Sequence, residues 1–456
     1  MTRITGEGAA EPASAQDEPA SAQDEPASAQ DERVSAQDEP VEFRADPEAV
    51  AAVRSAAEAA DRAKGSLARA PEDAISGALR AMADRLGRSA DAIGAANSDD
   101  MRAAEAAGLT GALLDRLRLD EGRLKAMADQ LLALAEVPAE PVSRVVRELP
   151  GDLIAEERRR PVGVIGANFE ARPNVVADIA SQLIKSRNAG VLRTGSAALR
   201  SAIALADEVV APALAAAGLD PAAIQLVRVP GQAAAYALVG EPGLIPLVIL
   251  RGSGASTRAL AFAAARRGVR TLAHADGGAV IYIDASADRR RAARLIEASL
   301  DRLGVCNRLN LLLVSEQIWD SVLPEVTALL DRLGVAASLP PHRHPLGHEW
   351  ALDTGHEATV TVARAGGAVD AAAVANQETS GLAAAIVAED RDAVGMFLDT
   401  YAGTGAFWNA TPRLLDGFKL LAVPETGINI DKVPGPRGPV TFRDLYLRQF
   451  VVVPKP

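Results

Sequence analysis

Residues 299–313 read S-L-D-R-L-G-V-C-N-R-L-N-L-L-L and hold Cys306, the one cysteine of the chain. Upstream, Leu295, Ile296, Leu300 and Leu303 recur at helical spacing and predict a helix over residues 290–302; downstream, the apolar run Leu311 to Val314 predicts a buried strand. A helix-to-strand corner can present a side chain at a cleft. A thiolate there attacks activated acyl groups. A lone cysteine is equally a small buried hydrophobe, so the choice rests on what surrounds it.

Working outward, the chain before this corner repeats strand, turn and helix, which predicts an α/β fold whose ligands gather at the carboxyl ends of the strands. The first unit is P-V-G-V-I-G from Pro161, followed by F-E-A-R-P-N-V-V. In it Arg172 suits a bidentate grip on an acidic group, and Asn174 suits donation to a developing oxyanion. A helix N-terminal ion pair and a cap are the structural alternatives. The second unit runs from the helix 175–185 into K-S-R-N-A-G-V-L-R-T-G-S, ending at Arg193, Gly195 and Ser196. The third runs from Leu247 into R-G-S-G-A-S, where Gly252, Ser253 and Gly254 leave room and amides for a ligand.

With 456 residues, 48% of them apolar, the chain can bury a large core in more than one domain. A net charge of -12 without a basic stripe argues against nucleic acid, so an anionic substrate requires a local basic site. One cysteine excludes an intrachain disulfide. No apolar run approaches a membrane span and the start lacks a signal pattern, so a cytoplasmic location is expected. Residues 11–40 repeat S-A-Q-D-E-P-A with recurring proline and no apolar seam; they predict a disordered acidic tail, either a docking segment or a drifted repeat. Residues 47–134 read as helices punctuated at Gly65, Pro71 and Gly108. His342, His344 and His348 sit in a proline-bracketed segment and are not read as a metal site.

Taken together, G-V-C-N at Cys306, A-R-P-N at Asn174, the L-R-T-G-S turn, W-N-A-T-P-R-L-L-D-G at Asn409 and the closing R-G-P loop resemble the gamma-glutamyl phosphate reductase family of the aldehyde dehydrogenase superfamily. The resemblance implies a Rossmann-type cofactor domain over residues 41–285 with an oligomerisation hairpin at 142–160. A catalytic domain over 286–425 and a bridging segment over 426–456 complete it, after a tail of 1–40. It implies Cys306 as nucleophile, aided by Asn174, with Glu170, Arg172, Asn307 and Arg437 on the substrate and Arg193, Gly195, Ser196, Gly252 and Ser253 on the cofactor. The cation and hydroxyl of Arg193 and Ser196 suit a 2′-phosphate, hence NADPH. An acyl-phosphate substrate, L-glutamyl 5-phosphate, a homo-oligomer and a glutamate kinase partner are implied as well.

The chain also departs from the family pattern. Val280, Leu382 and Ala384 stand where polar residues are usual, which opens a reading as a reductase of another aminoacyl phosphate or a carrier-bound thioester, or as a binding protein without turnover. Residues 271–284 contain no glutamate to activate water, so the expected thioester is partitioned by phosphate or another leaving group and not by water.

Overall fold

The computed structural model describes residues 46–109, 111–170, 172–252, 254–274, 277–353, 355–431 and 435–456. The acidic tail expected over residues 1–40 lies outside them, as does Ser253.

Two parallel sheets organise the described chain. The first has strands in the order Ile224–Leu226, Ala189–Thr194, Val164–Phe169, Leu247–Arg251, Arg270–His274. Val164–Phe169 and Ala189–Thr194 are buried at every residue, as parallel strands covered on both faces must be. Each fully buried Val, Ile, Leu or Phe there contributes roughly 1.5–3 kcal/mol. The chain moves outward from Val164–Phe169 on one side and then returns to its other side with Leu247–Arg251. That reversal is the switch point at which the carboxyl ends of two neighbouring strands diverge and leave a crevice.

Helices cover this sheet. Helix Pro47–Ala68 starts at Asp46, whose carboxylate accepts from Glu48 N at 3.0 Å, and buries Ala49, Val53, Ala57, Ala60, Ala63 and Leu67 along one stripe. Gly65, expected to break the helical run, lies inside this helix, with the Arg69 guanidinium folded over its Cα. Breaks do occur at Pro71, which precedes helix Glu72–Arg88, and at Gly108, whose φ of +83° favours glycine. Lys185, at the end of helix Val175–Lys185, is buried and held by Glu72 at 2.6 Å and by the Val137 carbonyl at 2.7 Å.

The second sheet is also parallel, in the order Ala336–Ser338, Thr359–Ala365, Leu309–Ser315, Ala279–Ile283, Ala383–Val387, Gly405–Trp408. Strand alternation splits its core. Ile281, Ile283, Leu312 and Val314 pack on one face, and Val280, Tyr282, Leu311 and Leu313 on the other. Ala279–Ile283, which precedes residue 285, belongs to this sheet. Its hydrogen bonds run to Leu309–Ser315 and Ala383–Val387, whatever its closeness in sequence to the first sheet.

The expected hairpin is present as Ser143–Leu149 and Leu153–Pro161, and Tyr446–Pro454 adds a third antiparallel strand. Val145, Val146, Leu447, Phe450 and Val452 are exposed on this ribbon. No helix among the described residues is long and apolar enough to cross a membrane.

Candidate active site

Cys306 lies between helix Arg289–Ala298 and strand Leu309–Ser315, close to the expected corner. Its backbone is fixed from three sides. The Cys306 carbonyl accepts from Gly278 N at 2.7 Å, and the Arg308 carbonyl from Ala279 N at 2.8 Å. The Gly304 carbonyl accepts from Arg116 Nη2 at 2.9 Å. Arg308 is fully buried and donates to the carbonyls of Leu309, Glu357 and Thr359. Gly277 completes the corner: a Cβ there would lie 2.5 Å from Glu349 Oε1 and 2.8 Å from the Cys306 carbonyl oxygen.

The corner stands at the amino ends of the second sheet, and across a cleft of about 420 Å³ stand the carboxyl ends of the first. From the switch point come Glu170, Arg172, Arg251 and Gly252; helix Gly111–Leu117 brings Arg116; helix Val175–Lys185 brings Asn174 and Asp178 at its start. Glu349, Asp416 and Glu425 close the remaining wall. The volume suits a small molecule.

Charge is unevenly balanced in this cleft. Burial first, then the nearby Arg116 and Arg251 cations, push the Arg172 guanidinium down to about 10. Cys306 and Glu170 pull it back up, and among the described residues it makes no side-chain hydrogen bond or ion pair. Burial pushes the Cys306 thiol up to about 11; Arg172 and Arg251 draw it down, while Glu425 and Glu349 raise it further. Asp178, which accepts from Asn174 Nδ2 at 2.9 Å, is raised by burial to about 6. Burial also raises Glu425, to about 7, and it accepts from Gly417 N at 2.5 Å. A carboxyl titrating near neutrality beside a thiol is suited to proton transfer.

The cleft therefore gathers Cys306, Asn174, Glu170, Arg172 and Gly252 as expected from sequence. Two other expected substrate residues do different things. Asn307 also lines the cleft but is buried, with Nδ2 donating to the Leu415 carbonyl at 2.9 Å and Oδ1 accepting from Arg413, so its amide ties the cysteine loop to residues 413–415. Arg437 is exposed, donates to the Ala402 carbonyl at 3.1 Å, and lines a separate cavity with Phe407 and Leu415.

At the carboxyl end of the neighbouring strand Ala189–Thr194, Arg193 is buried and its two terminal nitrogens are given to Asn168 Oδ1 at 3.0 Å and the Gly231 carbonyl at 2.6 Å; its Nε has no partner. It acts as a brace across the strand end, which was the structural alternative to a free cation. Gly195 N donates to the Phe169 carbonyl at 3.0 Å, and exposed Ser196 accepts from Gly231 N at 3.2 Å. With Gly252, whose Cβ would sit 3.3 Å from Thr257 Oγ1, these turns leave backbone bare along the carboxyl edge, which fits a dinucleotide.

The departures at 280, 382 and 384 divide. Val280 and Ala384 are paired across neighbouring strands and packed with helices Ala368–Glu378 and Arg391–Thr400, away from the cleft. Leu382 alone joins the apolar cluster against which Cys306 packs. Sequence reading missed Arg116, Arg251, Asp178, Glu349 and Glu425 as site residues. Arg251 opens the R-G-S-G-A-S turn, whereas Arg116 is embedded in an ordinary helical pattern. Glu349 and Glu425 also qualify the argument from residues 271–284, because carboxylates reach the thiol from elsewhere. Among the described residues no group of three or more His, Cys, Asp or Glu side chains could hold a metal.

Residues 33–345 match the model of the aldehyde dehydrogenase family. Curated gamma-glutamyl phosphate reductases from Novosphingobium aromaticivorans and Clavibacter michiganensis are each 35% identical, over 86% and 87% of this chain and 93% and 92% of theirs. The chain belongs to the gamma-glutamyl phosphate reductase family of aldehyde dehydrogenases. The crystal structure of gamma-glutamyl phosphate reductase from Thermotoga maritima superposes with a TM-score of 0.78 at 25% identity, over 88% of this chain and 98% of that one. This aldehyde dehydrogenase is thus an oxidoreductase built to use a nicotinamide cofactor, with its one cysteine at the cleft between the sheets.

Proposed function

We propose that the protein reduces L-glutamyl 5-phosphate to glutamate-5-semialdehyde and phosphate with NADPH, through a thioester on Cys306, as a step of proline formation. The observation that carries this reading is the convergence of Arg116, Arg172 and Arg251 on the cleft of Cys306, with Arg172 lacking any protein partner among the described residues. A phosphate dianion satisfies that excess of positive charge and a neutral aldehyde does not. The names of the relatives at 35% identity support the same substrate.

In this mechanism the Cys306 sulfur bonds to the acyl carbon, the carbon–oxygen bond to phosphate breaks, and the thiol proton ends on the departing phosphate. Glu425, with its carboxyl near 7, is positioned to relay that proton. Asn174 keeps its second amide hydrogen after serving Asp178, and the Cys306 backbone N–H has no partner among the described residues; both are donors for the oxyanion. Gly195, Ser196 and Gly252 would hold the cofactor, which when bound supplies the hydride that turns the thioester into a thiohemiacetal. Collapse of that adduct frees the aldehyde and the thiol. NADPH is favoured because no carboxylate stands between Arg193 and Ala198 to repel a 2′-phosphate. We also propose that the exposed ribbon joins copies of the chain, and that a glutamate kinase is the supplying partner.

A second reading, reduction of a different aminoacyl phosphate, is favoured by Leu382 packing beside Cys306. Phosphate-dependent reduction of NADP with glutamate-5-semialdehyde, assayed with Cys306→Ala as control, separates the two. Activity that vanishes in the variant supports the first; no activity with this aldehyde, but turnover of a longer or more apolar one, replaces it with the second.

A further inference from the structure

The cleft continues past Arg172 into a branch of about 210 Å³ between helix Glu121–Glu136 and the loop before Cys306. Six arginines line it: Arg116, Arg118, Arg123, Arg172, Arg251 and Arg302. No carboxylate does, whereas in the lobe that holds Cys306 five carboxylates face six cations. The two compartments share Arg116, Arg172, Arg251 and Arg302 together with Gln130, Asn174 and two valines, so a group released at Cys306 reaches the branch past four arginines and no carboxylate.

We propose that this branch binds a phosphate group and is the seat and exit of the phosphate expelled when Cys306 is acylated. The inference rests on the acyl-phosphate reading above. Its physical basis is segregation of charge. Around the thiol the cations are offset by carboxylates, whereas in the branch clustered guanidinium groups stand without them and attract a dianion more strongly. Asp115 braces the branch from its outer side, holding Arg123 at 2.6 Å and Arg302 at 3.0 Å, so the forks are oriented while the lining keeps a large positive excess. In the step itself sulfur gains the acyl carbon, the phosphate takes the bonding pair of its ester oxygen and the thiol proton, and hydrogen phosphate moves into the branch. In the reverse direction the same seat delivers phosphate to the thioester.

Arg302→Gln and Arg118→Gln remove charge from the outer wall without touching Cys306. Titration calorimetry with inorganic phosphate, in the whole protein, is expected to show a dissociation constant about tenfold weaker in each variant. In the reverse assay the KM for phosphate rises by a similar factor while the KM for the semialdehyde stays within about twofold. Unchanged phosphate affinity, with thermal melting showing both variants folded, overturns the subsite. Wild-type protein that binds phosphate with this dependence on Arg302 but lacks phosphate-dependent turnover keeps the subsite and removes the acyl-phosphate reaction. A parallel titration with coenzyme A distinguishes the source: displacement of phosphate at far lower concentration assigns the branch to a carrier's phosphates and overturns its role as leaving-group seat.

Discussion

Arg116 reaches across 188 residues to donate to the Gly304 carbonyl, through Nη2 at 2.9 Å and Nε at 3.2 Å, two residues before Cys306. The guanidinium is nearly buried, and its fork fixes the loop in a way a point charge cannot. Arg116→Lys is therefore expected to lower kcat/KM about ten- to hundredfold, matching the roughly 1.5–3 kcal/mol of a charge-assisted hydrogen bond. Steady-state kinetics and the alkylation rate of Cys306 check this. Full activity in the lysine variant would show that only the charge matters.

Gly277 is the close-approach point of the site. In Gly277→Ala the new methyl group meets Glu349 Oε1 and the Cys306 backbone, both closer than 3 Å. Backbone cannot yield cheaply, so about 1–3 kcal/mol of stability is lost and turnover falls by more than tenfold. Chemical denaturation and kinetics report the two effects separately; an unperturbed alanine variant would mean the corner is loose.

Glu425 makes stability depend on pH in a direction opposite to a salt-bridged acid. Its carboxyl is raised from 4.5 to about 7 by burial, against the pull of Arg251. Below 4.5 folded and unfolded chains both hold the proton. Between 4.5 and 7 the unfolded chain releases it while the folded chain retains it, so rising pH favours unfolding. Above 7 the penalty is complete, on the order of 3 kcal/mol. Glu425→Gln should melt with wild type at pH 4 and increasingly above it up to about pH 7.5, with a constant gap beyond. The same variant loses the proton relay, so its rate should fall most on the acylation step. Parallel melting curves at all pH values would refute the raised carboxyl.

Asn307 and Arg437 give a paired contrast. Asn307→Ala unties the cysteine loop from Leu415 and leaves Arg413 with Asp301 alone, an expected loss of about 1–3 kcal/mol seen in denaturant unfolding. Arg437→Ala alters a side chain outside the cleft, so kcat/KM should stay within about twofold. A large kinetic loss in the arginine variant, with stability intact, would restore its role on substrate.

The sequence was most legible where periodicity is local. The helix Val175–Lys185, the strand before Glu170 and the strand after Cys306 follow from the spacing of their apolar residues. It was least legible where long-range pairing competes with sequence proximity. Ala279–Ile283 looks continuous with the cofactor half but hydrogen-bonds in the other sheet. Val280 and Ala384 looked like pocket positions because nearby residues matter, yet strand alternation turns them into the core. Leu382 precedes strand Ala383–Val387, and at that amino end it joins the cluster against which Cys306 packs.

By itself the sequence determined the α/β class, the helix-to-strand corner that carries the one cysteine and the carboxyl-end turns, because each is set by a short run of residues. The tertiary structure decided which charges meet at the thiol. Arg116, Arg251, Glu349 and Glu425 come from four separated segments, and their interaction falls off with distance in space and not along the chain. It also decided that Asn307 and Arg193 brace the fold, since a polar side chain serves whichever partner burial places within hydrogen-bond reach.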